Sequence, residues 1–428
     1  MHAVIIGNGI TGVTAARHLR KRSPNARITV ISGESDHHWS RPALMYIYMG
    51  HMRYRDTKPY EDPFWTKNRI DLVNGWVTSI DTTNKAVIVD GQRTITYDAL
   101  LLATGSTPNK FGWPGQDLHG VSGMYSLQDL ATIEQRTPDF THGLIVGGGL
   151  IGVELAEMLH TRGKKVTFLV RERGYWNHVL PHDESVMVGR VMEREHIDLR
   201  FKTELTEIVD DGNGAVGGAV TSHGDRMMDV GFVGLTAGVR PNIRVVEGSE
   251  IETGRGVLVD DQLRTNIDGV FAAGDCAEIK TPEGQRNRIT AVWYTGRMMG
   301  EVVARNMLGA SDDYDPGIWF NSAKFFDLEY QVYGNVPGAT AEERGGAKPS
   351  VYWEHPNGLV SLRLVHEDGA IIGVNCMGMR FRHRVCERWI AEKRSLDYVI
   401  ANLKDAHFDP EFYRSNYKAI RATMGGAA

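Results

Sequence analysis

Short runs of apolar residues, separated by polar turns, organise the first part of this chain. The runs at residues 3–6 and 144–146 predict buried strands, and each passes through a glycine-rich turn into residues with a helical repeat of apolar positions. Another apolar run follows each predicted helix, at residues 27–31 and 165–169. The pattern therefore predicts two βαβ units, one at the start of the chain and one at about residues 143–173.

The pattern predicts more strands in the middle of the chain and a different architecture towards its end. Further predicted elements are strands at 76–80, 86–89, 99–102 and 270–275, additional strands and turns between 205 and 239, and a helix at about 292–308. From about residue 319 the alternation becomes rich in aromatic residues. This predicts an antiparallel sheet, followed by a helix that contains Trp389.

Composition is that of an ordinary multidomain globular protein. With 428 residues, of which 42% are hydrophobic, the chain is long enough for roughly three domains of about 150 residues each. The net charge of −5 indicates neither a nucleic-acid partner nor a membrane surface. The sequence has no basic and apolar leader and no apolar run of about 18 residues, so we expect a cytoplasmic protein.

Cysteine and histidine positions give no sign of a disulfide framework or a metal site. Cys276, Cys376 and Cys386 are too few and too scattered for either. The adjacent pair His37 and His38 has no third ligand at a suitable spacing. We therefore predict no bound metal.

Two glycine fingerprints carry the strongest chemical signal. Residues 7–12 (Gly-Asn-Gly-Ile-Thr-Gly) and 147–152 (Gly-Gly-Gly-Leu-Ile-Gly) each lie between a predicted strand and a predicted helix. In this context the first glycine allows a tight turn, the second lets the backbone approach a pyrophosphate, and the third lets helix and strand pack closely. The phosphates would lie at the N-terminus of the helix. Two such motifs imply two bound dinucleotides and suggest that electrons pass between them.

An acidic residue follows the first βαβ unit at the place where a ribose would lie. Glu34 comes 25 residues after Gly9, just beyond the second predicted strand. A carboxylate near this place can accept hydrogen bonds from ribose hydroxyl groups. The alternative is a solvated glutamate in a loop.

Five blocks, taken in order, make the chain resemble the two-dinucleotide-binding flavoprotein reductases, the pyridine nucleotide-linked family that includes glutathione reductase. It is most similar to the branch of ferredoxin, rubredoxin and nitrite-reductase-type NAD(P)H reductases. The resemblance implies an α/β fold with two Rossmann-like dinucleotide-binding domains and a C-terminal α+β domain. The blocks are residues 7–12 with Glu34, 103–105, 147–152 with Glu154, 238–242, and Thr265 with 273–275.

The resemblance assigns FAD to the first glycine loop. Glu34 would bind the adenosine ribose, Val77 would meet the adenine, and Asp275 would hydrogen-bond the ribitol chain of the flavin. Trp293 would face the pyrimidine end of the flavin; the alternative is an ordinary core tryptophan. The residues implied to bind cofactor on this side are Gly7, Gly9, Ile10, Thr11, Gly12, Glu34, Arg41, Pro42, Val77, Ala103, Thr104, Gly105, Gly238, Gly274, Asp275 and Trp293.

The second glycine loop would bind the nicotinamide cofactor, with Glu154 near the contact between nicotinamide and flavin. Val170 stands where an enzyme that prefers NAD would carry an acid, and Arg171 and Arg173 suit a 2′-phosphate. The implied cofactor is NAD(P)H, with NADPH slightly favoured, although Glu172 could replace the missing carboxylate and the arginines could be merely solvated. The residues implied to bind this cofactor are Gly147, Gly149, Leu150, Ile151, Gly152, Arg171 and Arg173.

The sequence departs from the disulfide reductases of this family in the block that would carry a reactive thiol. Residues 39–50 contain no cysteine. The resemblance then implies that electrons leave the flavin directly. Reductases that feed ferredoxins often carry a lysine where Tyr46 stands here. Lys324 is our candidate for supplying that charge at the catalytic site; the alternative is a plain surface lysine.

A basic segment lies between residues 380 and 394. It contains Arg380, Arg382, Arg384, Arg388, Lys393 and Arg394, opposed by Glu387 and Glu392. We interpret this segment as a docking surface for a small acidic electron carrier such as a ferredoxin or rubredoxin. The alternative is a solvated amphipathic helix.

These observations lead to one predicted organisation and one leading function. We predict a discontinuous FAD-binding domain at 1–112 and 240–318, an NAD(P)H-binding domain at 113–239 and a C-terminal α+β domain at 319–428. The leading function is the passage of electrons from NAD(P)H through FAD to a protein carrier, without a redox-active disulfide. An NAD(P)H oxidase or quinone or dye reductase, and a flavin-bearing protein whose redox state gates its interactions, are the alternatives. A homodimer is left open.

Overall fold

The computed structural model describes residues 1–408 and 415–425. Within these ranges, none of the helices is long and apolar enough to cross a membrane. The helices are α1 (Ile10–Arg22), α2 (Leu44–Tyr48), α3 (Pro63–Lys67), α4 (Leu127–Arg136), α5 (Leu150–Thr161), α6 (His182–Arg194), α7 (Trp293–Asn306), α8 (Ala339–Ala341), α9 (His383–Ala391), α10 (Leu396–Ala401), α11 (Leu403–Ala406) and α12 (Tyr417–Met424).

The strands include two long series, at residues 70–122 and 198–279, with no α-helix between their members. They are β1 (His2–Ile6), β2 (Arg27–Ser32), β3 (Ile70–Asn74), β4 (Val77–Asp81), β5 (Ala86–Val89), β6 (Arg93–Thr96), β7 (Ala99–Leu102), β8 (Ser106–Pro108), β9 (Val121–Ser122), β10 (His142–Val146), β11 (Lys165–Val170), β12 (Asp198–Phe201), β13 (Leu205–Asp210), β14 (Val216–Thr221), β15 (Arg226–Met227), β16 (Phe232–Leu235), β17 (Val239–Pro241), β18 (Val257–Val259), β19 (Val270–Ala272), β20 (Ala277–Ile279), β21 (Phe320–Phe325), β22 (Leu328–Gly334), β23 (Ser350–Glu354), β24 (Ser361–Glu367) and β25 (Ala370–Met377).

The first of two compact units consists of Met1–Asn109, Ser122–Pro138 and Gly238–Pro316. Its main sheet has the strand order β19-β7-β1-β2-β3, and neighbouring strands run parallel. The side chains of β7 are all buried, as expected where both faces of a parallel sheet are covered. The predicted unit β1–α1–β2 is confirmed.

Helices α1 and α7 pack closely in this unit because α7 carries glycine where they meet. A Cβ atom at Gly300 would lie 2.6 Å from the carbonyl oxygen of Thr11, and one at Gly296 would lie 2.7 Å from Thr11 Oγ1. Because α1 begins at the first glycine fingerprint, this packing fixes the start of the helix that faces the predicted pyrophosphate.

The second compact unit consists of Lys110–Val121, Asp139–Ala237 and Gly317–Ala428. In its first part, strands β12-β11-β10-β16 form a parallel sheet, and β13-β14-β15 form a small antiparallel one. The second predicted unit is confirmed as β10–α5–β11. The α/β fold class with Rossmann-like parallel sheets is therefore confirmed.

The predicted antiparallel sheet near the end of the chain is also confirmed, with the strand order β21-β22-β25-β24-β23. On one face, Leu362, Leu364 and Val374 form a core with Trp389 of α9. From β24, the buried side chain of Arg363 reaches α6 in the same unit. Its Nε lies 2.8 Å from Oε1 of Glu184.

One strand ends earlier than the sequence pattern predicts, and two segments group with units that the pattern does not indicate. The strand predicted at 270–275 ends at Ala272, because Gly274 turns the chain with a φ of +81°. Ser122–Pro138 groups with the first unit and Gly317–Ala428 with the second. The predicted three-domain division itself stays a prediction, and its residues 409–414 and 426–428 lie outside the described residues.

Candidate dinucleotide sites

The first glycine loop has two glycines that the fold requires. Gly7 has a φ of +112°, and a Cβ there would lie 2.1 Å from the carbonyl oxygen of Ala103. A Cβ at Gly12 would lie 2.0 Å from the carbonyl oxygen of Gly7. Neither distance can be relieved by moving a flexible side chain, since both neighbouring atoms belong to the backbone. These two positions therefore tolerate only glycine.

The middle glycine of this loop is free of any such contact with the described residues. At Gly9, no described atom lies within 4 Å of a built Cβ, and its φ of −66° is ordinary for any residue. Gly9 precedes the first turn of α1, which contains Ile10 and Thr11 and whose first backbone N–H groups point out of the helix. An open face beside free N–H groups fits an approaching pyrophosphate. The loop therefore passes a structural test for the dinucleotide that the resemblance implies.

Asp275 lies beside this helix start. Gly274 packs over Thr11, whose Oγ1 would be 2.5 Å from a Cβ there. Ser106 Oγ donates a hydrogen bond of 3.0 Å to Asp275 Oδ2. Burial raises the pKa of Asp275, while Ser106 and the charge of Arg41 lower it. The predicted FAD-site residues Thr11, Gly274 and Asp275 are thus brought together.

Glu34 and Arg41 form a two-pronged ion pair that the sequence did not predict. Arg41 Nη1 and Nη2 lie 2.9 Å and 2.6 Å from Glu34 Oε1 and Oε2, and Leu127 N donates to Oε1 at 3.3 Å. A carboxylate offers about four lone-pair positions, so about one remains for a ribose hydroxyl. The ribose role of Glu34 stays a prediction, now with Arg41 as the group that orients its carboxylate.

Tyr125 completes this cluster, and sequence reasoning missed it. Its ring lies 4.4 Å from the guanidinium carbon of Arg41, and its hydroxyl accepts a 2.9 Å hydrogen bond from Ser106 N. Its backbone oxygen also accepts from Arg41. Tyr125 lies 84 residues after Arg41 and belongs to no recognisable motif, so we see no sequence signal that could have found it.

His38 is a second group that sequence reasoning did not place at the loop. Its Nδ1 lies 2.8 Å from the backbone oxygen of Asn8, the residue before Gly9. Burial lowers the pKa of His38 to about 4 against the opposing effect of that hydrogen bond. The ring is therefore neutral at physiological pH and donates from Nδ1. The interest of His38 lies in this contact rather than in metal binding.

The other predicted FAD-site residues are spread along the elements of the same unit. Pro42 lies in a short 3₁₀ turn at 41–43, and Val77 begins β4. Ala103, Thr104 and Gly105 follow β7, and Thr104 Oγ1 donates to Asn242 O at 2.6 Å, just after Gly238 and β17. Trp293 begins α7 and is 46% exposed, so it is not an ordinary core tryptophan.

The second glycine loop repeats the steric logic of the first. Gly147 has a φ of +121°, and its Cβ would lie 2.6 Å from Thr236 O. A Cβ at Gly152 would lie 2.5 Å from the ring of Phe168. At Gly149, as at Gly9, a built Cβ meets none of the described atoms within 4 Å. Leu150 and Ile151 form the first turn of α5, so this loop also fits a dinucleotide.

The predicted nicotinamide-site acid, Glu154, and the lysine candidate, Lys324, both interact electrostatically with Glu157 in the second unit. Glu154 is on α5, and burial raises its pKa to about 7, with a smaller contribution from the charge of Glu157. Burial also raises the pKa of Glu157, against the effect of Lys324. Lys324 Nζ lies 3.4 Å from Asp327 Oδ1 and its side chain is 45% exposed. The catalytic roles of Glu154 and Lys324 stay predictions.

Replacing Glu154 by glutamine is expected to stabilise the cofactor-free protein above neutral pH. The carboxyl pKa is about 7 in the folded chain and near 4.5 in the unfolded chain, so ionisation opposes folding increasingly between these values. The gain should be near zero at pH 4.5 and reach at most about 3 kcal/mol above pH 7. Denaturant unfolding at several pH values measures it. Glu193→Gln, on the exposed side of α6, is the control, and a Glu154→Gln gain that does not vary with pH would contradict this pKa.

The residues proposed to discriminate between NADPH and NADH differ in their exposure. Val170 is fully buried, and a Cβ at Gly148 would lie 2.7 Å from its Cγ1. Arg171 is 71% exposed and pairs with Glu172, with 3.0 Å between Nη2 and Oε1. Arg173 is exposed. Arg173 is thus the arginine more available for a 2′-phosphate.

The basic segment at 380–394 carries less unopposed charge than its composition suggests. Arg380 Nε lies 2.7 Å from Glu329 Oε2, and Arg394 Nε lies 2.8 Å from Glu392 Oε2. The exposed side chains that carry the remaining charge are Arg382, Arg384, Arg388 and Lys393. A docking surface in this segment would therefore centre on α9.

The cysteines lie in environments that suppress thiolate chemistry. Cys276, Cys376 and Cys386 are free and buried. Burial raises the pKa of each thiol, and Cys276 Sγ donates to Leu102 O at 3.3 Å. The thiolate is the reactive form of cysteine, so these positions disfavour thiol catalysis.

Comparison with known proteins gives a family and several relatives. The family model described as pyridine nucleotide-disulphide oxidoreductase matches residues 1–300. A rubredoxin-NAD(+) reductase of Pseudomonas putida is 29% identical over 280 residues, which cover 65% of this chain and 72% of that protein. A nitrite reductase [NAD(P)H] of Bacillus subtilis is 29% identical over 277 residues, 64% of this chain but 34% of that longer protein.

Solved structures share the fold along the whole chain. The NAD-dependent persulfide reductase from A. fulgidus superposes with a TM-score of 0.87 at 24% identity, covering 100% of this chain and 83% of that one. At this level of sequence identity the match shows a shared fold and nothing more.

Proposed function

Because this chain belongs to the pyridine nucleotide-disulphide oxidoreductase family, as an NAD(P)H-dependent flavoprotein oxidoreductase, we propose that it passes electrons from NAD(P)H to a small protein electron carrier. FAD, when bound, supplies the chemistry: it accepts a hydride and can release single electrons. The chain's own residues would bind FAD and NAD(P)H, orient them and shield them from water. A rubredoxin reductase among its relatives supports a protein carrier as the acceptor class.

The observation that carries this proposal is the pair of open cradles at Gly9 and Gly149. Each has flanking glycines that the fold requires and a middle glycine that the described protein atoms leave uncovered. Glycine at the middle position is explained by a ligand that approaches the backbone there. Two such cradles in one chain suit a donor dinucleotide and a flavin dinucleotide.

The proposed route has no thiol relay. Residues 39–50 contain no cysteine, and the chain's three thiols are buried with raised pKa values. This supports direct transfer from flavin to the acceptor.

A panel of acceptors tests the proposal. The FAD-loaded protein is reduced anaerobically with NADH or NADPH and then mixed with a rubredoxin, a ferredoxin, a quinone or oxygenated buffer. We expect at least one protein carrier to be reduced more than about tenfold faster than oxygen or quinone, since docking raises the effective concentration of the acceptor. Turnover with oxygen or quinone that equals or exceeds turnover with every carrier would replace this proposal with an oxidase or quinone reductase.

We further propose that the carrier docks on α9, and reversing its charge should slow carrier reduction. The variant Arg384→Glu/Arg388→Glu is expected to lower the association rate about tenfold or more at low salt, and less at high salt, because exposed charges act through steering. Reduction of a neutral dye should not change. Arg93→Glu/Arg226→Glu, which alters the net charge equally at exposed arginines elsewhere, is the control. Equal carrier rates for the α9 variant and the parent protein would rule out docking there.

We propose NADPH as the slightly preferred donor, on the basis of the exposed Arg173 and the buried apolar Val170. Arg173→Gln should raise the KM for NADPH about fivefold and leave the KM for NADH unchanged, since a charge-assisted hydrogen bond to phosphate contributes about 1 kcal/mol or more. Steady-state kinetics with both donors measures this. A parent protein with a clearly lower KM for NADH would contradict the preference.

A further inference from the structure

The segment after β11 returns to the second glycine loop and holds two of its carbonyl groups. Trp176 N donates to the backbone oxygen of Gly148 at 3.1 Å. The hydroxyl of Tyr175 donates to the backbone oxygen of Gly149 at 2.9 Å, and this oxygen also accepts the N–H groups of Gly152 and Val153 at the start of α5. Two consecutive peptide groups of the loop are therefore bound from the side of Tyr175 and Trp176.

Together with the helical bonds to Gly149 O, these two bonds set the direction of the N–H groups that would face a pyrophosphate. A trans peptide is planar, with its C=O and the next residue's N–H pointing in opposite directions. Holding the oxygens of Gly148 and Gly149 therefore aims the N–H groups of Gly149 and Leu150 away from Tyr175. Gly149 is also where a built Cβ meets none of the described atoms within 4 Å.

Tyr175 and Trp176 are themselves tightly constrained. Tyr175 is fully buried, and burial, helped by the charge of Glu154, raises its pKa well above the ordinary value, so its hydroxyl remains a donor. Trp176 has a φ of +48°, a conformation that is costly for a bulky residue and persists only where its surroundings impose it.

The constraint comes from the C-terminal sheet of the same unit. The ring of Phe325 on β21 lies 5.9 Å from the rings of both Tyr175 and Trp176, and Tyr330 on β22 lies 5.9 Å from Trp176. Backbone bonds add to this: Ala339 N donates to Leu180 O at 2.9 Å. The sheet and α8 thus hold the segment that holds the glycine loop.

The first glycine loop has a similar support at the corresponding residue. There His38 Nδ1 lies 2.8 Å from the oxygen of Asn8, which occupies the place of Gly148 in the motif. A histidine side chain at the first loop and the backbone N–H of Trp176 at the second thus bind the same peptide oxygen of the motif. This repetition indicates that the orientation of that peptide matters for the cradle.

We propose that Tyr175 and Trp176 are positioning residues for the nicotinamide dinucleotide and that the C-terminal sheet, by holding them, helps to set the affinity of that site. The inference rests on the proposed assignment of NAD(P)H to the second loop. It gives the C-terminal domain a role in donor binding that is separate from any docking of a carrier.

Tyr175→Phe tests the inference by removing one hydroxyl and leaving the ring. We expect NADP⁺ and NAD⁺ to bind about three- to tenfold more weakly, because the variant lacks the buried hydrogen bond to Gly149 O that helps to orient the loop. Isothermal titration of the FAD-loaded protein with each dinucleotide measures this directly. In turnover, the KM for NAD(P)H should rise by the same factor while kcat stays within about twofold.

Tyr333→Phe is the matched control. Its hydroxyl is also buried and donates to a backbone oxygen, that of Phe381, at 3.1 Å, but within the C-terminal core. It should lower the melting temperature to a similar extent without changing the dinucleotide Kd. Phe325→Leu, which removes the ring that contacts both Tyr175 and Trp176, should weaken binding in the same direction as Tyr175→Phe.

The outcomes separate this inference from the proposed function. If the parent protein binds dinucleotide and Tyr175→Phe binds it equally well, the positioning role is wrong and the proposed function stands. Equal weakening by Tyr333→Phe would also overturn the positioning role, since it would reduce the effect to general destabilisation. A parent protein that binds neither NAD⁺ nor NADP⁺ would overturn the proposed function itself.

Discussion

Gly12→Ala is expected to give a protein that neither holds FAD nor folds stably. The added Cβ would lie 2.0 Å from the backbone oxygen of Gly7, in a contact that α1 and β1 cannot relieve without moving apart. Overpacking of this kind costs about 3 kcal/mol or more. The melting temperature of the cofactor-free protein and the flavin absorbance after purification are the two measurements.

Gly9→Ala separates the role of the cradle from that of the fold. Its Cβ would meet none of the described atoms within 4 Å, and its backbone conformation is open to alanine, so the cofactor-free protein should lose only the roughly 1 kcal/mol of a poorer helix cap. FAD should nevertheless bind at least about tenfold more weakly, since the methyl group stands where the pyrophosphate approaches. Normal FAD content in Gly9→Ala would show that the first loop is not the flavin cradle.

Gly149→Ala makes the parallel test in the second loop. It should retain FAD and lose only the same roughly 1 kcal/mol of helix capping, but bind NAD(P)⁺ more weakly. The two middle glycines together then assign one dinucleotide to each loop. Loss of flavin from Gly149→Ala, with NAD(P)⁺ binding intact, would mean that the two assignments are reversed.

Arg363→Leu is expected to destabilise the second unit by about 3–5 kcal/mol, because it leaves a buried carboxylate without its partner. Arg363 bonds Glu184 through both Nε and Nη2, at 2.8 Å and 2.9 Å, and Glu184 is 0% exposed. Arg363 Nη2 also reaches Asp183 at 2.6 Å. Denaturant unfolding of the cofactor-free protein measures the loss.

The pH dependence of this loss follows from the ionisation of Glu184. Burial already raises the pKa of Glu184, against the effect of Arg363. Without the arginine the pKa rises further, so the folded variant takes up a proton that the unfolded chain releases above about pH 4.5. The variant should therefore lose more stability at pH 8 than at pH 5.

Two further variants check the cause. Arg363→Leu combined with Glu184→Leu should recover most of the lost stability, since replacing both members of a buried pair is often nearly neutral. Lys280→Met, which breaks an exposed pair with Glu252, should change the unfolding free energy by less than about 1 kcal/mol. If the double variant is as unstable as Arg363→Leu, the destabilisation comes from lost packing and not from the unpaired charge.

Much of the fold could be predicted because its signals are local. Apolar runs of three or four residues, each followed by a glycine fingerprint and a helical repeat, mark β1–α1 and β10–α5. The steric reason is contained in a few residues, since a Cβ at Gly12 or Gly152 collides with the loop of its own βαβ unit. Aromatic alternation after residue 319 likewise predicted the antiparallel sheet, because period-two patterning reflects a strand with one buried face.

The orienting groups around the loops could not be predicted in the same way. Tyr125 reaches Arg41 across 84 residues, His38 reaches Asn8 across 30, and Tyr175 reaches Gly149 across 26. In the sequence these are an unremarkable tyrosine, one of two adjacent histidines, and an aromatic in a loop. Their significance depends on which carbonyl or guanidinium each one meets after folding.

The sequence by itself determined that this chain has two glycine fingerprints, each between a strand and a helix, and no cysteine at residues 39–50. Those properties follow from residue type and short spacing. The tertiary structure decided how the peptide groups of each loop are oriented, that Glu34 is paired with Arg41, and that burial raises the pKa of Glu154 to about 7. The physical reason is that hydrogen-bond direction and desolvation depend on groups brought close only by folding, whereas the steric requirement for glycine is already present within a single loop.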